Sequence, residues 1–96
     1  MLERIYEESE QVNIHFLGYV SEHSRYDFAI VFTKHFFGKP LVICMQTKRS
    51  ALLSYEDLHG GELLQKEFAI TDPLEAEQLA HFLQKRIPSV PMNEQY

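Results

Sequence analysis

The chain has 96 residues, of which 45% are hydrophobic and 24% charged, and a net charge of −5. That size fits one domain, residues 1–96, with a core of its own, and the composition excludes a disordered chain. The negative balance argues against binding to nucleic acid or an anionic membrane, because neutralising phosphates needs a surplus of Lys and Arg.

Met1 to Gln11 carries Glu3, Glu7, Glu8 and Glu10, with Leu2, Ile5 and Tyr6 at helical spacing. This segment, 1–11, reads as a loosely ordered lead-in; the alternative is a short strand or turn that packs Ile5 and Tyr6 on the edge of the fold. It is acidic and lacks a long apolar run, so it does not read as a signal peptide. The longest stretch without Asp, Glu, Lys or Arg runs from Gln11 to Ser21, short of the about 20 apolar residues of a membrane span. With Cys44 as the single cysteine, no intrachain disulfide can form, which fits a reducing, cytoplasmic location.

Val12 to Val20 alternates with the period of two that a strand requires. Ser21 to Ser24 is a polar turn, and Tyr26 to Lys34 a second strand, with Tyr26, Phe28, Ile30 and Phe32 on its heavier face. Phe37-Gly38-Lys39-Pro40 turns the chain, since Gly tolerates positive φ and Pro cannot donate to a ladder. Leu41 to Gln46 is the third strand, Thr47 to Arg49 a tight turn, and Ser50 to Tyr55 the fourth strand. After a loop broken by Gly60-Gly61, Glu62 to Ile70 reads as a fifth strand with Leu64, Lys66, Phe68 and Ile70 on one face. A helix follows. Asp72 is the N-cap, Pro73 suits N1, and Glu75 at N3 resembles a capping box. Ala76, Leu79, Ala80, Leu83 and Ile87 form its apolar stripe with Phe82 beside it, and Pro88 stops it. The tail 88–96 reads as loosely ordered.

The expected fold is therefore α+β: an antiparallel meander of four to five strands followed by one C-terminal helix packed on one face. Its core contact sets Phe28, Ile30 and Phe32 against Leu79, Phe82 and Leu83. One helix is about 10 Å across and strands lie about 4.8 Å apart, so a single helix covers two or three strands. The second and third strands are apolar on both sides, with Ala29, Val31, Val42 and Cys44 read as opposing Phe28, Ile30, Ile43 and Met45. A face so apolar is expected to be covered, and a homodimer through the sheet face or edge is the simplest cover.

Three stretches, HSRYDFA (His23 to Ala29), FFGKPLV (Phe36 to Val42) and QTKR (Gln46 to Arg49), resemble a family of small uncharacterised cytosolic proteins, a domain of unknown function, from relatives of the bacteria Bacillus and Staphylococcus. The likeness spans roughly residues 12–60. It implies a small α+β protein without an assigned activity, and it carries no site residues across.

No motif in the chain assigns an activity: there is no Gly-rich phosphate loop, no GxSxG, no CxxC and no metal-ligand spacing. Two loop clusters are candidate sites. Meander topology gathers His23, Ser24, Arg25, Lys48 and Arg49 at one end of the sheet, where they would hold a phosphate or carboxylate, or act only as solvated turn charges. The other end gathers Lys34, His35, Phe36, Phe37 and His59. Adjacent aromatics in an extended chain point to opposite sides, which leaves one of Phe36 and Phe37 available to a partner. Cys44 lies mid-strand among apolar residues and reads as an inert core thiol. The favoured reading is a non-catalytic homodimeric protein-interaction module without cofactor or metal. The alternative is a small-molecule anion binder or enzyme that uses the basic turns.

Overall fold

The computed structural model describes residues 1–89. Four strands, β1 (Asn13–Val20), β2 (Arg25–Phe32), β3 (Leu41–Cys44) and β4 (Arg49–Leu52), form one antiparallel sheet in the order β1-β2-β3-β4. The meander expected from the period-two runs is the frame of the molecule. Its fourth strand ends at Leu52 instead of Tyr55. The Leu53 amide still bonds Pro40 O at 3.0 Å, but the next amide, Ser54 N–H, is captured by Asp57 Oδ2 at 2.8 Å. That capture diverts the chain into a short 3₁₀ turn over Glu56–Leu58.

The expected fifth strand is a helix, α1 (Glu62–Phe68). Leu64 and Phe68 are buried four residues apart, while Lys66 is exposed between them. A helix satisfies that spacing; a strand would put Lys66 in the apolar stripe. Glu, Leu, Gln and Lys also favour helix intrinsically. Ala69, at φ 58, ends α1 in the left-handed region. Two helices therefore cover the sheet, not one.

The second, α2 (Pro73–Gln84), begins as expected: Asp72 accepts the amides of Leu74 at 2.9 Å and Glu75 at 3.3 Å. Glu75 does not complete a capping box. Its carboxylate reaches outward to the β1–β2 turn instead, accepting from Ser21 Oγ and Tyr26 OH, each at 2.8 Å. A turn continues from Gln84 to the buried Ile87, and Pro88 and Ser89 are exposed. The rest of the expected loose tail, residues 90–96, lies outside the described residues.

The core forms where the inner sheet face meets the helices. Phe28, Ile30, Val42 and Cys44 pack with Leu64 and Phe68 of α1 and with Ala76, Leu79, Ala80 and Leu83 of α2. Phe28 and Phe68 meet edge to face, centroids 5.8 Å apart. Phe32 is partly buried against this cluster. Phe82 is not in it: it is exposed at the rim, where it stacks on Tyr19 at 4.7 Å. Gly61, at the start of α1, lets the two helices close up, since a Cβ there would stand 2.5 Å from Glu77 N and 2.6 Å from Ala76 C.

Register corrects the expected faces of the sheet. Ile30 pairs with Val42, and Val42 with Ala51. Directly opposed residues share a face, so Val42 and Cys44 lie with Phe28 and Ile30 under the helices. Ile43 and Met45 belong with Ala29 and Val31 on the outer face.

Candidate interaction surface

Two cross-strand rows run over the outer face. One is Ile14–Val31–Leu41–Leu52, the other Phe16–Ala29–Ile43–Ser50. Seven of these eight side chains are apolar. Ala29 is buried beneath its larger neighbours, the Val31, Leu41, Ile43 and Leu52 side chains are half-buried, and Ile14 and Phe16 are exposed, Phe16 by 73%. Val20 and Met45 extend the patch and are exposed too. A contiguous exposed apolar patch of this kind is a candidate contact surface.

At the β1–β2 end the face becomes polar. Arg25 holds Asp27 through Nε at 3.0 Å and Nη2 at 3.3 Å, and Gln46 Nε2 donates to the same carboxylate at 2.6 Å. Arg25 first, then Gln46, holds the Asp27 carboxyl below its ordinary value. Gln46 Oε1 in turn accepts the Asp27 amide at 2.7 Å, which closes the edge where β3 ends.

The residues expected to gather at this end lie in the β1–β2 turn, at the starts of β2 and β4, and in the β3–β4 turn. Arg25 shares the outer face with Asp27. Arg49 pairs with Cys44 and so belongs to the inner-face parity. His23 lies 3.7 Å from Glu22 in the solvent. Ser24 closes its own turn, its amide donating to Ser21 Oγ at 3.1 Å. Lys48 occupies the β3–β4 turn at φ 62. At the β1–β2 turn, Glu75 is a carboxylate that the sequence pattern assigned to a helix cap. The Ser21 and then the Tyr26 hydroxyl hold its carboxyl below the usual range, while burial and then this carboxylate push the Tyr26 phenol up.

At the other end, the β2–β3 connection carries Phe36 and Phe37. Both are exposed, Phe37 by 85%. Their backbones, with that of Gly38, form three successive left-handed residues at φ 57, 65 and 75. The amides of Gly38 and Lys39 close the turn on His35 O and Phe36 O at 3.1 and 3.3 Å. Only Gly38 adopts this region freely; for each Phe the left-handed backbone costs about 1–2 kcal/mol. Backbone strain of this sort persists where the surroundings impose it, and it clusters at active sites, ligand clamps and switch regions.

The N-terminal segment supplies those surroundings. Glu10 accepts from Thr33 Oγ1 at 2.6 Å and from Lys34 N at 2.8 Å, and Glu8 lies 2.9 Å from His35 Nε2. The Thr33 hydroxyl, followed by the Lys34 amide, holds the Glu10 carboxyl below its ordinary value. Thr33 Oγ1 also accepts the His35 amide at 3.0 Å. The connection is thus pinned immediately before the left-handed turn. His35 and His59 do not meet: His59 lies edge-on to Tyr55 at 5.8 Å and shares a cleft with Glu77 and His81. Among the described residues, no group of three or more His, Cys, Asp or Glu side chains is placed to hold a metal ion. Also among them, no helix is long and apolar enough to cross a membrane. Cys44 is buried in the core, as its apolar neighbours implied.

A family model described as SAV0927-like matches residues 5–85. The match extends the likeness carried by the meander through α1 and α2. No curated protein matches the chain.

Proposed function

The chain belongs to the SAV0927-like family, and from that premise we propose that it is a non-catalytic interaction module that works as a homodimer. The outer sheet face is the self-association surface, and the Phe36–Phe37 turn is the contact for a protein partner. One observation carries this reading: the two apolar rows across all four strands, with Phe16 73% exposed. Removing such a surface from water is worth about 25 cal/mol per Å². Of the groups considered for chemistry, Cys44 is buried and Arg25 is held by Asp27.

Sedimentation equilibrium tests the dimer. For the partner contact, the test is capture of cytosolic proteins on immobilised wild-type chain and on Phe37→Ser. A protein retained by the wild type and lost from the variant supports the aromatic turn as the contact; identical capture on both excludes it.

A further inference from the structure

We propose that the cleft between the β1–β2 turn and α2 binds the side-chain ammonium of a lysine presented by a partner protein. It is a separate site from the Phe36–Phe37 turn, and it needs no dimer.

The cleft measures about 260 Å³. Sites for drug-sized molecules run from about 300 to 1,000 Å³, so this one admits a single side chain rather than a larger ligand. Tyr19, Val20, Leu79 and Phe82 form its apolar wall. Tyr19 and Phe82 stack at 4.7 Å. Leu79 is buried and Val20 is 80% exposed, so the wall runs from the core out to solvent. A lysine suits such a wall, because its four-carbon stem lies along apolar surface while its head seeks a charge.

Glu75 lines the same cleft and is half-buried. Each of its oxygens accepts one hydroxyl proton, from Ser21 and Tyr26, at 2.8 Å. These bonds fix the carboxylate and favour its ionised form. They leave it further lone pairs, since a carboxylate offers about four acceptor sites. Two neutral hydroxyls do not cancel its charge, and among the described residues no Lys or Arg forms an ion pair with it. Asp72 adds to the negative field at the Tyr26 phenol. A fixed carboxylate beside an apolar wall is complementary to a cation on an alkyl stem.

The occupied oxygens also choose between cations. A guanidinium fork takes both carboxylate oxygens at once, and here Ser21 and Tyr26 hold one position on each. An ammonium is a compact point charge with three donors. It needs one free lone pair of Glu75, and the amide oxygen of Gln78, in the same cleft, is a further acceptor.

The probe is blocked lysine, Nα-acetyl-lysine methylamide, titrated into the isotope-labelled full-length protein at neutral pH. NMR shifts of Tyr19, Gln78 and Phe82 should saturate with a Kd of roughly millimolar order. Blocked norleucine, which keeps the stem without the charge, and blocked arginine should each bind at least about fivefold more weakly. Glu75→Gln keeps an acceptor and removes the charge. Gln78→Lys sets an ammonium of the chain's own three residues from Glu75 on the same helix face. Each variant should weaken blocked lysine by at least about fivefold. Gln78 is exposed, so the second variant folds even if loss of the Glu75 tie unfolds the first. Norleucine or arginine that binds as well as lysine, or a Gln78→Lys variant with wild-type affinity, overturns the ammonium site. Binding of n-butylammonium without blocked lysine assigns the cleft to free amines and overturns the lysine reading. The absence of any saturable shift with blocked lysine overturns the proposal outright. None of these outcomes bears on the dimer, which sedimentation measures.

Discussion

Tyr26 donates its hydroxyl to Glu75 Oε1 at 2.8 Å, which ties the start of β2 to the first turn of α2 across 49 residues of chain. With Ser21 on the other oxygen, this carboxylate joins the β1–β2 turn to the helical layer. Three carboxyls, Glu10, Asp27 and Glu75, are held below their ordinary values by hydrogen bonds. A carboxyl depressed on folding contributes stability above its unfolded value, and that contribution is lost as pH falls through the folded value. Stability should therefore decline as pH drops below the ordinary Glu value of 4.5. Replacement of Glu75 by Gln should shrink the difference between urea midpoints at pH 7 and pH 3. A variant with the wild-type difference would show that this tie contributes nothing to the acid response.

The contact between the helices allows no side chain at Gly61. An alanine Cβ would sit 2.5 Å from Glu77 N and 2.6 Å from Ala76 C, both backbone atoms of α2 that cannot swing aside. Gly61→Ala should cost about 1–3 kcal/mol, the usual penalty of overpacking. Gly60→Ala meets no atom within 4 Å, although its φ of 81 is itself unfavourable for Ala, and should cost about 1–2 kcal/mol through that backbone alone. Urea melts compare the two, and a neutral Gly61→Ala would refute the close approach.

Two phenylalanines that the pattern placed together in the core should separate in a melt. Phe28→Ala removes a fully buried ring that meets Phe68 and should cost about 3–5 kcal/mol. Phe82→Ala removes a ring that is 36% exposed and stacked on Tyr19; it should cost about 1–2 kcal/mol, from a stacked pair and partial burial. Equal losses would contradict the assigned positions.

The difference between these two residues reflects how far the sequence was legible. Alternation in Tyr26, Phe28, Ile30 and Phe32 marked the inner face of β2, and Asp72-Pro73 marked the start of α2; both are local signals. The faces of β3 were not legible, because the register across Phe36–Pro40 decides them, and a shift of one residue exchanges Val42 for Ile43. Across 62–70 the residues Leu64, Lys66, Phe68 and Ile70 fit a period of two as well as Leu64 and Phe68 fit a helix turn. The clue was Lys66, which only the helix places in solvent. Nothing local announced the bonds of Glu8 and Glu10 to the β2–β3 connection, or that Phe36 and Phe37 adopt left-handed backbone ahead of Gly38.

That left-handed turn predicts a trade of stability against binding. Phe37→Gly relieves a backbone held at φ 65 and removes a side chain that is 85% exposed, so little packing is lost. The variant should be more stable by about 1 kcal/mol in urea, while protein capture by this turn should fail. A destabilised variant would mean that the exposed ring is worth more to the fold than its strain costs.

The most direct test of the central claim is sedimentation equilibrium of the wild-type chain beside Phe16→Asp. Phe16 is 73% exposed in a single copy, so a charge there leaves the monomer fold intact while it disrupts a sheet-face dimer. The wild type should sediment at twice the chain mass of 11.3 kDa and Phe16→Asp at the chain mass. A wild type that stays monomeric at high micromolar concentration, or a Phe16→Asp variant that dimerises as tightly as the wild type, would contradict self-association through this face.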